Sequence, residues 1–166
     1  MVQSVSLEQL RKDAVDIFHN GFACSESVIY SIRKNFELDM SDDAFAMSTG
    51  FPWGLGGAGC LCGAVAGGTM CIGYVFGRRK PGEPAGECHK LTNEFADAIT
   101  AKFGATCCGR LIAPYGDRNS PERKSFCTEL VEFAVTEAAK IIAREKGIKA
   151  ESVSYTHLTL PTTSRV

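Results

Sequence analysis

Residues 50–77, GFPWGLGGAGCLCGAVAGGTMCIGYVFG, decide the fold. The stretch carries no charged side chain and ten glycines. Gly54 to Gly59 reads as a loop, and the segment from about Cys60 to Phe76 as a buried helix. Small residues let a second helix approach its backbone closely, against a helix-propensity cost of about 1 kcal/mol per glycine. A transmembrane reading competes, because more than eighteen uncharged residues run into Arg78-Arg79-Lys80. Roughly a third of residues 55–77 are glycine, which weakens the drive for insertion. The other helices are amphipathic and need something apolar to cover. A buried central helix supplies it, and Arg78-Arg79-Lys80 then reads as a solvated inter-helix loop.

Outward from this stretch the pattern stays helical. Ser6-Leu7-Glu8-Gln9 fits a capping box and opens a helix with Leu7, Leu10, Ala14, Ile17 and Phe18 on one stripe, ended by Asn20-Gly21. A second helix is expected from about Cys24 to Phe36, and a short third one from Ser41 through Met47. Past Pro81-Gly82-Glu83-Pro84, Leu91, Phe95, Ile99 and Phe103 mark a helix that Gly104 stops. Cys107-Cys108 falls in the following turn or short helix. Ser120-Pro121-Glu122 starts a last helix, with proline at its first position, running to about Lys146 before Gly147. No segment has a convincing period of two, and no internal repeat is present. The expected fold is all-α, a compact bundle of about five or six helices around the Gly/Ala/Cys-rich central one.

Totals set the bounds. The chain has 166 residues, 45% of them apolar, which suits one domain with a real core. A net charge of −1 offers no field for nucleic acid or an anionic membrane. Residues 153–166 are set apart from the single domain at 1–152. Val153-Ser154-Tyr155-Thr156-His157-Leu158-Thr159-Leu160-Pro161-Thr162 resembles a translated frame of an adapter used in transposase-based sequencing libraries, and composition shifts abruptly there. The natural C-terminus is expected to be missing, and His157 is no ligand candidate.

Eight cysteines are the outlier. The N-terminal residues lack a basic region followed by an apolar one, so no signal peptide is expected and a cytoplasmic location is. A Cys-rich chain in a reducing compartment reads as metal-binding or redox-catalytic before it reads as a disulfide scaffold. Gly54-Leu55-Gly56-Gly57-Ala58-Gly59 satisfies the dinucleotide-binding spacing, but no strand precedes it and no parallel-sheet pattern follows. What survives is the tip of a helix, whose N–H groups stabilise an anion, and the nearest anion is a thiolate. Cys62 is therefore the leading candidate, with its pKa expected to be lowered by the helix tip. Cys24 shares a stripe with Val28 and Ile32, and Cys127 one with Val131, Ala134 and Ala138, so both face inward. Cys108 can reach the same interior. Each alone is as readily core filler as functional, but four such cysteines on four segments favour convergence.

The remaining cysteines are weaker candidates. Cys60 and Cys71, eleven residues apart on a presumed common helix, would be roughly 16 Å apart and could not pair. Cys88 aligns with Leu91 and Phe95 as packing, and Cys107 is accessory to Cys108. Cys60-Leu61-Cys62 is suggestive of a metal without being specific. His19 and His89 lack a C-x-x-C partner at zinc spacing, and no Cys/His hydrolase signature is present.

Ala23-Cys24-Ser25-Glu26-Ser27-Val28, Cys62-Gly63-Ala64-Val65-Ala66-Gly67-Gly68, Phe103-Gly104-Ala105-Thr106-Cys107-Cys108 and Cys127, taken in this order, resemble the C_GCAxxG_C_C family over roughly residues 10–145. The family name spells Gly-Cys-Ala, whereas this chain reads Cys62-Gly63-Ala64, which leaves Cys60 after Gly59 as the other claimant. Gly67 closes the motif when Cys62 is taken. The resemblance implies a redox role and four hallmark cysteines, here Cys24, Cys62, Cys108 and Cys127. Some members look exported by a twin-arginine signal, which this sequence does not show.

Two chemistries follow. One is a thiol/disulfide relay in which Cys62 attacks and a partner on another segment resolves, served by a redox partner protein. The other is ligation of an iron–sulfur cluster or zinc by the same four thiolates, although their wide spacing is unlike a compact ferredoxin run. A non-enzymatic helical binding domain with structural cysteines is the alternative from another class.

Overall fold

The computed structural model describes residues 1–152; residues 153–166, and with them the expectation of an adapter-derived tail, lie outside the described residues. Helices dominate in chain order: α1 (Leu7–His19), α2 (Cys24–Asn35), α3 (Asp42–Ala46), α4 (Pro52–Leu55), α5 (Gly63–Phe76), α6 (Gly86–Phe103), α7 (Cys108–Ile112) and α8 (Pro121–Lys146). The local signals act as expected. Ser6, Ser41 and Ser120 each accept a backbone N–H in the first turn of α1, α3 and α8, and Gly104 and Gly147 end α6 and α8 in the left-handed conformation. Only half of the capping box forms at α1. Gln9 sends its side chain forward to Asp13, 2.9 Å away, instead of back to Ser6.

Two differences from the sequence reading matter. A small parallel sheet joins β1 (Ser4–Ser6) to β2 (Lys149–Glu151), clipping the entry of α1 to the exit of α8. Three residues per strand are too few to show an alternating pattern. The central helix also begins at Gly63, with Cys62 at its N-cap, so Cys60 lies in the preceding loop and shares no helix face with Cys71.

α5 sits in the middle, against α2, α6 and α8. Its glycines set the distances to α2 and α6. A Cβ on Gly67 would fall 2.6 Å from the Ser25 carbonyl oxygen and 3.1 Å from Val28 Cβ, and one on Gly68 would fall 2.3 Å from the Phe95 ring. α2 and the Phe95 ring of α6 therefore press directly on the α5 backbone. Phe95, Ile72, Ile29, Ile32, Val131 and Ile142 are fully buried around it, and each such side chain is worth about 1.5–3 kcal/mol of burial. Among the described residues no helix is long and apolar enough to cross a membrane.

Candidate functional site

Cys24 is the first residue of α2, Cys62 the N-cap of α5, Cys108 the first residue of α7, and Cys127 lies in the second turn of α8. All four line one half-open cavity of about 340 Å³, together with Phe18, Phe22, Trp53, Leu111 and Ile112. Two contacts explain the convergence. Gly63 lies so close to α2 that a Cβ there would stand 2.2 Å from Cys24 Sγ, which seats Cys24 against the residue next to Cys62. The loops before α5 and α7 pair antiparallel at Leu61 and Cys107. In that pairing Cys62 donates its N–H to the Thr106 carbonyl (2.8 Å) and Gly109 donates to that of Gly59 (2.8 Å), so Cys62 and Cys108 enter the cavity side by side.

The wall beside them is strained. From Trp53 to Gly57 every residue has a positive φ, including Trp53 at 59° and Leu55 at 61°. A left-handed conformation costs a non-glycine residue roughly 1–2 kcal/mol. The turn is held from above: Arg123 lies over the Trp53 ring at 4.4 Å and Arg118 at 5.5 Å, while Arg118 also donates to the Gly57 carbonyl (3.3 Å). A Cβ on Gly54 would meet Cys108 Cβ at 2.8 Å, so the turn and the thiol-bearing ribbon are in direct contact.

Against this geometry stands one comparison. The family model described as "Putative redox-active protein (C_GCAxxG_C_C)" matches residues 22–141. The chain belongs to this family. The match takes in all four cavity cysteines of this C_GCAxxG_C_C protein. No significant match was found among curated proteins or solved structures.

Burial governs the thiols of the C_GCAxxG_C_C cavity. It pushes Cys62 up to about 12, helped by the neighbouring Cys24, although the N–H groups of Val65 and Ala64 pull the other way. Cys24 is pushed up to about 11 by burial, opposed by the Ser25 N–H and reinforced by charge on Cys127 and Cys108. The expectation that the helix tip would acidify Cys62 is thus corrected: the tip is there, but desolvation of the thiolate outweighs it. Cys127 and Cys108 are also raised by burial, and nearby cations work against that rise at both. Arg123 donates from Nη1 to Cys127 Sγ at 3.5 Å.

A pH dependence follows. Unfolded, these thiols ionise near 9.0, whereas Cys24 and Cys62 keep their protons well above that when folded. Above pH 9 the unfolded chain releases protons that the folded chain retains, so stability falls as pH rises from about 9 toward 12 and is unaffected by these groups below that window. Urea midpoints are expected to be lower at about pH 10 than at about pH 8, with a smaller drop in Cys62→Ala.

The other four cysteines lie elsewhere. Cys60 is exposed, Cys71 is fully buried in the core of α5, and Cys88 is half-buried against the core. Cys107 turns its thiol onto the Gly59 carbonyl (3.0 Å). His19 meets Thr128 at 2.9 Å outside the cavity, and His89 is exposed. The sequence reading missed Arg123, Lys124 and Trp53. One signal existed: Arg123 stands four residues before Cys127, one helical turn away on the same face.

Proposed function

We propose that the cavity is a thiol/disulfide exchange site in which Cys127 is the entry nucleophile and Cys24 the resolving thiol. The observation that carries this reading is that four cysteines from four separate segments line one cavity. Cys127 suits the first role because Arg123 donates to its sulfur and Lys124 also favours its ionised form. Its thiolate attacks one sulfur of an incoming disulfide. A mixed disulfide forms, and the other half leaves as a thiolate that takes up a proton. Cys24, close enough for its charge and that of Cys127 to oppose one another, then attacks the mixed disulfide and releases the second thiol. The protein ends as a Cys24–Cys127 disulfide and the substrate as two thiols, so two electrons have moved. Cys62 and Cys108 border this pair and can take over the disulfide by internal exchange. A dithiol partner protein returns the site to its reduced state, and a reducing, cytoplasmic setting suits that cycle.

The same four sulfurs would be the donors for zinc or an iron–sulfur cluster, which need deprotonated thiolates around a common point. The four side chains do not fit that need. Among the described residues no three or more His, Cys, Asp or Glu side chains are grouped to hold a metal. The relay requires no metal.

The test is a thiol count on reduced protein before and after an excess of small disulfide, read by mass after alkylation in denaturant. The reading predicts loss of thiols in pairs, restored by dithiol. Retention of all thiols, with fold and partner binding unchanged in the quadruple Cys→Ser variant, would instead mark a binding domain.

A further inference from the structure

We propose that the substrate of this exchange site is a small disulfide or thiol carrying negative charge, held by Arg123 and Lys124. The inference rests on the exchange reading and adds the chemical class of the molecule exchanged. A volume of about 340 Å³ lies at the low end of small-molecule sites, which span about 300–1,000 Å³. The charges that line it have one sign. Among the described residues Arg123 and Lys124 are its only charged lining residues, and no carboxylate faces it. The chain as a whole is slightly acidic, at −1, so this local excess of cations is not inherited from composition.

Both cations are held in place by neighbours that leave their charge uncompensated. Among the described residues the Arg123 guanidinium lies 4.4 Å from the centre of the Trp53 ring and gives only a long contact to a thiol, and its Nε is buried without a hydrogen-bond partner. Lys124 lies over the Phe18 ring at 3.6 Å and donates to the Phe18 carbonyl at 3.3 Å. Among the described residues neither meets an acidic group. A flat guanidinium stacked on an aromatic ring with donors to spare is a ready partner for a carboxylate, phosphate or sulfonate. Phe22, Leu111 and Ile112 offer the apolar body of such a molecule a wall, while its sulfur meets Cys127 one turn beyond Arg123 on the same helix.

The rival account is that the cations serve only to favour the thiolates. The two differ in what they do to substrate charge. Three aliphatic disulfides of similar size, the dianionic dithiodipropionate, the neutral hydroxyethyl disulfide and the dicationic cystamine, would be mixed with the reduced full chain and thiol loss followed in time. We expect the order anion, neutral, cation, with the anion favoured over the neutral disulfide by about tenfold or more at low salt. Added salt should erode the anion's advantage and leave the neutral rate in place. In Arg123→Gln the anion-to-neutral ratio should collapse towards one, and in Arg123→Lys it should largely recover. Rates that fall equally for all three disulfides in Arg123→Gln, or a wild-type order indifferent to charge, would overturn the proposal while leaving exchange intact. Absence of reaction with every disulfide would instead overturn the exchange reading. If Arg123→Gln does not fold, the wild-type salt series decides the matter alone.

Discussion

Gly67→Ala is expected to destabilise the protein by about 1–3 kcal/mol, whereas Gly73→Ala on the same helix is expected to stabilise it by about 0.5–1 kcal/mol. Intrinsic propensity alone would make both substitutions favourable. What separates them is what an added methyl meets. At Gly67 it would stand 2.6 Å from the backbone oxygen of Ser25, an atom that moves only if α2 moves. At Gly73 nothing lies within 4 Å. The displaced α2 begins at Cys24, so Gly67→Ala should also disturb the site and slow exchange, while Gly73→Ala should not. Urea denaturation of both variants checks the sign, and a neutral Gly67→Ala would mean that α2 does not rest on the α5 backbone.

The largest chemical effect is expected at Cys24. Cys24→Ser should still form a mixed disulfide at Cys127 but should lose the second step, slowing release of the second thiol by about 100-fold or more, because an intramolecular thiol at high effective concentration has been removed. The mixed disulfide would then accumulate and be seen by mass as the added half of the substrate. Cys127→Ser should prevent its formation. A wild-type rate of second-thiol release in Cys24→Ser would assign resolution to Cys62 or Cys108 instead.

Much of this was legible because the signals are local. Ser6, Ser41 and Ser120 announce helix starts through a bond reaching three residues, and Gly104 and Gly147 announce ends through a backbone angle. The glycines of α5 advertise a close crossing, and Gly63, Gly67 and Gly68 make one. Cys24 and Cys127 could be chosen from inward-facing stripes, Cys62 from its place at a helix tip, and the full set of four from the family pattern. What stayed hidden depends on contacts between distant segments. The start of α5 is set by the bridge from Leu61 to Cys107, which no window around Cys60 contains. The clip between Ser4–Ser6 and Lys149–Glu151 joins opposite ends of the domain. The thiol pKa shifts turn on burial, known only once the helices are assembled, and the same holds for Arg123 and Lys124, whose helix shows them simply as two charges near its start. Gly54–Gly59 has a dinucleotide-binding spacing without the strand and sheet around it, and the left-handed run from Trp53 to Gly57 places an aromatic ring beneath Arg123.

The most direct measurement is a peptide map of the oxidised protein: reduced chain, limiting small disulfide, rapid alkylation of free thiols, proteolysis and mass analysis of the linked peptides. The account predicts a bond between Cys24 and Cys127, or after exchange one involving Cys62 or Cys108, with Cys71 and Cys88 alkylated. Bonds confined to Cys60 and Cys107, or none within the four, would contradict it.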